Sequence, residues 1–181
     1  MQKKSFDDYY APAEDSLFLA DHIQKEKGHA ALDIGTGSGF LAKILSDSFE
    51  LVVATDINTG ALKKTHQTIE NCICCSSADA IHHYFDLAVC NLPYLPSEKI
   101  MDPAVDGLEE GLGVATNIIK SASNVIRSNG KLVYLTSSLA NYEELIRRTE
   151  DLGFAAKIVA KRKLFFEELI IVECVKLSGK Q

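Results

Sequence analysis

Three short stretches carry residue types that could do chemistry together. Asp33-Ile34-Gly35-Thr36-Gly37-Ser38-Gly39 places three glycines between an apolar run and a helical pattern. Glycines there let backbone approach a ligand closely, and a helix start offers free N–H groups. Asp56 lies 21 residues after Gly35, at the end of the next apolar run, where a carboxylate can bond ribose hydroxyls. Together these form a nucleoside-binding pattern. A tight turn packing helix on strand would account for the glycines but not for Asp56. The third stretch, Asn91-Leu92-Pro93-Tyr94, follows the apolar run Leu87-Ala88-Val89-Cys90. Ligands of open α/β sheets sit at the carboxyl ends of such buried strands. An amide, a proline carbonyl and an aromatic ring at that point could grip a flat polar group. The plainer reading is a proline turn in which Asn91 bonds its own backbone.

The elements that must position these groups alternate between apolar runs and helical patterns, which predicts a parallel sheet covered on both faces. A helix is expected from about Glu14 to Lys25, stopped by Gly28, with Leu17, Phe18 and Ile23 facing inward. Ala30 to Ile34 is the first strand, and a helix should run from about Gly39 to Ser48. Leu51 to Thr55 is the second strand, followed by a helix capped by Asn58 that runs through about Glu70. Cys72 to Ser77 and Asp86 to Cys90 are the third and fourth strands. A long acidic loop is expected through Pro96, Pro103, Gly107 and Gly111, either a lid or a solvated loop. Its helix holds Ala115, Ile118, Ile119, Ala122, Val125 and Ile126 and ends at Asn129-Gly130. Lys131 to Thr136 is the fifth strand and Asn141 to Leu152 a helix. Phe154 to Ala160 and Leu169 to Lys176 are joined so briefly that one of them should be antiparallel.

The totals narrow the function. A chain of 181 residues without repeats or a dividing linker reads as a single domain, 1–181. No apolar run approaches the ~18 residues of a membrane span, and no signal peptide opens the chain, so a cytoplasmic location is expected. A net charge of -6 argues against broad phosphate-backbone binding. Five cysteines without an export signal read as reduced thiols. No second ligand pair at zinc spacing accompanies Cys72, Cys74 and Cys75, so buried strand cysteines rather than a metal site are expected. The run Lys161-Arg162-Lys163 reads as protection of an exposed strand edge, or else as steering of an acidic or RNA-like partner.

The glycine spacing distinguishes two ligand classes. A dinucleotide fingerprint needs its third glycine at position 40, which is Phe40. The spacing here is G-x-G-x-G with an acid two residues ahead, which suits a positively charged ligand without phosphate. D-x-G-x-G-x-G resembles motif I of the class I S-adenosylmethionine-dependent methyltransferases. Asn91-Leu92-Pro93-Tyr94 resembles the N-P-P-Y tetrad of their amino-methylating members. Tyr10-Ala11-Pro12-Ala13-Glu14-Asp15-Ser16 is similar to the opening motif of the HemK-like enzymes of archaea and eukaryotes, which methylate a glutamine in class I translation release factors. Leu164-Phe165-Phe166-Glu167-Glu168-Leu169 resembles that group's final hairpin.

The resemblance implies a Rossmann-like, doubly wound α/β fold with a mostly parallel seven-stranded sheet and a C-terminal antiparallel hairpin. It implies S-adenosyl-L-methionine as cofactor, held by Ser16, Asp33, Gly35, Gly37, Gly39, Asp56, Ile57, Asp79, Ala80 and Asn91. For Ser16, a hydroxyl satisfying the helix start is the other reading, and Glu14 and Asp15 could simply favour the helix dipole. Asn91, Pro93 and Tyr94 would be the catalytic set, with Asn91 Oδ1 and the Pro93 carbonyl accepting from a flat NH2 group and Tyr94 stacking on it. The implied acceptor is the glutamine N5 of a Gly-Gly-Gln loop. Adenine N6 on DNA or RNA is the alternative, and a scaffold that has lost catalysis is a third. The implied partner, besides the release factor, is a small zinc-binding activator that adds a strand beside the third strand. Leu92 departs from the tetrad's proline, which puts the stiffness of the loop in question.

Overall fold

The computed structural model describes residues 14–93 and 106–178, with backbone alone for 106–111. Tyr10 to Ala13, Tyr94 and most of the expected acidic loop lie outside the described residues. The elements are α1 (Glu14–Ile23), β1 (Gly28–Ile34), α2 (Phe40–Leu45), β2 (Phe49–Asp56), α3 (Thr59–Thr65), β3 (Asn71–Cys74), β4 (Phe85–Asn91), α4 (Asp106–Val125), β5 (Ile126–Ser137), α5 (Tyr142–Asp151), β6 (Phe154–Lys163) and β7 (Glu168–Lys176). They build one seven-stranded sheet in the order β3-β2-β1-β4-β5-β7-β6. Strands β1 to β5 pair in parallel, and β7 runs antiparallel to both β5 and β6. The expected doubly wound sheet with one reversed strand is therefore what forms.

Strand alternation sorts the core into two layers, because successive side chains point to opposite faces. Leu87 and Val89 of β4 join Phe18, Leu19 and Ile23 of α1 and Leu41 and Leu45 of α2. Ala88 and Cys90 join Ala115, Ile119 and Ala122 of α4 and Leu145 of α5. The same alternation sends Asn91 to the α1 face and Leu92 to the α4 face. Among the described residues no helix is long and apolar enough to cross a membrane.

Several boundaries differ from the sequence reading. Gly28 opens β1 instead of closing α1, because a Cβ there would stand 2.8 Å from Asp86 Oδ2. That carboxylate accepts from the backbone of His29 (2.6 Å) and Ala30 (2.9 Å), and Arg127 pairs with it at 2.6 Å. Helix α3 starts after Asn58, whose side chain accepts from Gly60 and Ala61, but it stops at Thr65 rather than near Glu70. Helix α4 begins at Asp106, so Gly107 and Gly111, expected in a loop, are helical. Glycine costs about 1 kcal/mol in a helix, which burial of Ala115, Ile119, Ala122 and Val125 further along α4 offsets. The helix ends at Val125 and β5 starts at once, with Asn129 in the left-handed region at φ 62°. The expected buried cysteines of β3 are not buried: Cys74 is exposed and Cys72 and Cys75 are half-buried, because β3 is the edge of the sheet. Cys90 and Cys174 are the buried pair.

Candidate functional site

The carboxyl ends of β1, β2 and β4 converge on a cavity of about 260 Å³. Ile34, Gly35, Asp56, Ile57, Asn91 and Pro93 line it, with Cys75 to Ser77 after β3 and with Val114 and Ile118 from α4. All three stretches singled out by residue type thus reach one space. The lining is mostly apolar side chains with a few polar groups, as expected of a small-molecule site. Ile57 and Val114 are exposed at 76% and 45%, apolar surface that the fold itself leaves uncovered.

The glycine loop is held open from behind. Gly35, Gly37 and Gly39 have φ of 70°, 53° and 80°, a region that side chains with a Cβ avoid. A Cβ on Gly39 would also meet Thr65 at 2.9 Å. The Gly35 and Thr36 amides both donate to the Thr55 carbonyl at 2.9 Å, and Thr65 Oγ1 donates to the Gly37 carbonyl at 3.2 Å. Asp56 closes the loop from the other side: Oδ2 accepts from Gly37 N at 2.9 Å and Oδ1 from Asn58 N at 2.8 Å. Each oxygen keeps a second lone pair for a ligand hydroxyl.

Asp33 lies beside the cavity rather than on its wall. Its Oδ2 accepts from Thr36 Oγ1 (2.6 Å) and Ala42 N (3.0 Å), while Oδ1 is buried and unpartnered. Burial pushes this carboxyl up to about 6, against the pull of those two hydrogen bonds. Burial also raises the Cys90 thiol, so the sulfur beside the cavity stays protonated and does not compete as a nucleophile.

Asn91 stands at the carboxyl end of β4, on the cavity wall. Its Nδ2 donates to Asp15 Oδ2 at 3.1 Å, and its Oδ1 is buried with no partner among the described residues. A carboxylate can only accept, so Asp15 fixes which way the amide points. The oxygen is left as a free acceptor at the end of β4. An orphaned buried acceptor is costly, by about 1–3 kcal/mol, and in a native fold it requires an explanation. Asp15, read from sequence as part of the opening motif and as a helix-dipole residue, is the site residue whose contact with Asn91 that reading missed. The available signal was an acid on α1, the helix that packs on the face to which period-two alternation sends Asn91.

Leu92 accounts for its own departure. Its side chain is 2% exposed within the α4-side core, and its N–H donates to the Leu135 carbonyl at 3.1 Å. A proline has no N–H to give, so leucine stiffens the loop by a different bond.

Not every expected residue reaches the cavity. Ser16 is buried in the first turn of α1 and is not part of the lining. Gly37 and Gly39 shape the loop from outside the lining. Asp79 accepts from Ser121 Oγ and lines a separate cavity of about 350 Å³ with His82 and His83, while Ala80 is exposed. Ser76 and Ser77 take the expected place of Asp79 in the lining, with Ser77 in the left-handed region at φ 52°. Tyr94 lies outside the described residues.

The residues fit a nucleoside that carries positive charge: a glycine cradle, an acid at the ribose position, and an orphaned acceptor at the far end. Comparison with known proteins agrees. A Methanocaldococcus jannaschii protein assigned as a protein N5-glutamine methyltransferase is 32% identical, over 93% of this chain and 92% of its own length. The methyltransferase HEMK2 of Homo sapiens is 24% identical over 95% of this chain and 92% of its own. The Mtq2–Trm112 complex of E. cuniculi, responsible for methylation of the eRF1 translation termination factor, superposes with a TM-score of 0.76 at 27% identity, covering 93% of this chain and 98% of that one. The family model of the methyltransferase small domain matches residues 13–165, and the chain belongs to that family of methyltransferases.

Proposed function

We propose that this protein, acting as one domain over residues 1–181, moves a methyl group from S-adenosyl-L-methionine to the side-chain N5 of the glutamine in the Gly-Gly-Gln loop of a class I translation release factor. The observation that carries this reading is the unpaired Asn91 Oδ1, held by Asp15 at the mouth of a cavity shared with Gly35 and Asp56. Bound there, the cofactor supplies an activated methyl group.

On the cofactor side, the Gly35 backbone would approach the ligand, Asp56 would accept from ribose hydroxyls, and Ile57 would cover the base. Gly37, Gly39 and Asp33 hold that loop in shape. Ser16, Asp79 and Ala80 belong to the cofactor site by family resemblance, with side chains outside the present lining. On the acceptor side, an amide nitrogen is a poor nucleophile because its lone pair is delocalised. Two acceptors aimed at its two hydrogens favour a more tetrahedral nitrogen, and Asn91 Oδ1 and the Pro93 carbonyl supply them. Tyr94, the next residue, would stack on the amide plane and keep it oriented. None of these groups is a strong base, and the proton the methylated nitrogen loses goes to water.

A planar NH2 clamp alone does not separate glutamine from adenine. The relatives favour glutamine, since one is assigned as an N5-glutamine methyltransferase and another acts on eRF1. The net charge of -6 agrees. A small activator subunit fits the same reading. Strand β3 is a sheet edge with Ile73 half-buried and one side unpaired, which is the geometry strand addition uses. The E. cuniculi relative was solved as a complex with Trm112.

The test is methyl transfer from labelled cofactor to a purified release factor, with the label located by peptide mass spectrometry. Label on the Gly-Gly-Gln glutamine is expected. Label that avoids that glutamine and appears on nucleic acid would overturn the reading.

A further inference from the structure

Two phenylalanines stand in water at the tip of the β6–β7 hairpin. Phe165 is 90% exposed and Phe166 85%, and their rings stack edge to face at 4.6 Å. Neither ring contributes to the two core layers. Nor are they loose: the Leu164 amide donates to the Glu167 carbonyl at 2.8 Å, and Ser137 Oγ donates to the Glu167 carboxylate. The Ser138 amide donates to the Glu168 carbonyl at 2.9 Å, and the Glu168 amide donates to Ser138 Oγ at 2.9 Å. Four hydrogen bonds therefore fix the turn that carries the two rings, so the backbone loses little conformational freedom when the tip is covered.

The position of the tip says what covers it. Ser137 pairs with Leu169 at the carboxyl end of β5, and two residues earlier Leu135 pairs with Asn91. The tip thus stands at the same end of the sheet as the acceptor clamp, two strand spacings from β4, or about 10 Å across the ladder. The hairpin is also fastened to α1: the Arg162 guanidinium lies 4.3 Å over the Phe18 ring and 3.3 Å from Asp21. Helix α1 carries Asp15, which holds Asn91. Leu139, just past the end of β5, is a further exposed apolar residue, at 44%.

Charge adds a second requirement. The tip follows Lys161-Arg162-Lys163 in a chain of net charge -6. Glu168 pairs with Lys161 at 3.0 Å and Asp21 with Arg162. Lys163 is exposed and has no ion-pair partner among the described residues. Edge protection explains the cations on β6 but not the two rings.

We propose that Phe165 and Phe166, with Lys163 beside them, form a docking surface for the body of the acceptor protein, taking an apolar patch bordered by acidic side chains outside the segment that enters the cavity. The proposal rests on the reading of the acceptor as a protein. Docking of this kind raises the local concentration of the reacting loop without touching the reacting atoms.

The experiment compares two acceptors: an intact class I release factor, and a short synthetic peptide spanning Gly-Gly-Gln. Both are methylated by the full chain and by its F165A/F166A variant, with the activator subunit present. The double variant should raise KM for the intact protein about tenfold or more, leaving kcat and the peptide KM within about twofold and thermal melting unchanged. K163E should raise KM for the protein about threefold, more at low salt than at high salt. A protein KM that stays within twofold, or an equal loss on the peptide, overturns the proposal. So does sedimentation showing that the rings join two copies of the enzyme while the protein KM is unmoved. If the wild type itself leaves the release factor unmethylated, the acceptor reading falls and this proposal with it. That case is told apart because the wild type, not the variant, is inactive.

Discussion

Asn91 Oδ1 is an acceptor without a donor, and Asp15 is the reason it stays so. Replacing Asp15 with Ala frees the amide to rotate and removes the preset orientation. We expect kcat to fall about tenfold with cofactor affinity nearly unchanged, since orientation at the reacting centre is worth about that much or more. D15N should recover most of the loss, because its side-chain oxygen can still accept from Asn91 Nδ2. Steady-state kinetics beside calorimetric cofactor binding would check both. Asp33 makes a pH prediction. Its carboxyl is raised from 3.8 to about 6 in the fold, so the folded state holds the proton more tightly than the unfolded chain. Its contribution to stability is complete below about pH 4 and is lost as pH rises through about 6, by up to about 3 kcal/mol. Urea unfolding at pH 4.5 and 7 should show wild type losing stability relative to D33N across that window. The residue types of this site were legible in the sequence, because D-x-G-x-G-x-G, Asp56 and Asn91 are defined by spacing alone. The role of Asp15 was not, because its partner lies 76 residues away in the chain.

At the level of elements, strand periodicity did most of the positioning. The run Leu87 to Cys90 alternates between the α1 and α4 layers, and that alternation alone decides that Asn91 meets α1 and Leu92 meets α4. Helix starts at Asn58 and Asn141 were readable because each side chain accepts from its own first turn. The start of α4 was not readable. Its first turns hold Gly107 and Gly111, residues that by themselves read as loop. Edge status came only through the family resemblance: by composition Cys72 and Cys74 look like core residues, and the strand order leaves β3 outermost. Leu92 gives the element-scale prediction. L92P restores the tetrad's proline but removes the N–H bonded to Leu135 and the side chain packed among the α4 residues. We expect a loss of about 1–3 kcal/mol and a melting temperature lower by roughly 3–8 °C by calorimetry.

For the molecule as a whole, the groups that line the candidate site gather at one end of the sheet. The glycine loop, Asp56 and Asn91 lie at the carboxyl ends of β1, β2 and β4, the hairpin tip stands at the same end beyond β5, and the β3 edge closes the far side. On the proposed reading, one surface takes a nucleoside, a flat amide and the protein that carries it, and the opposite edge takes a strand-adding partner. Asn91 Oδ1, although it lines the cofactor cavity, is proposed to act chiefly on the acceptor nitrogen and to add little to cofactor affinity. Single-turnover methyl transfer by N91A at saturating cofactor, with the cofactor Kd measured in parallel, tests this most directly. The rate should fall at least about a hundredfold, as for loss of one preorganised polar contact at a reacting centre, with Kd within about threefold of wild type. A rate within tenfold of wild type, or a loss matched by the change in Kd, would contradict it.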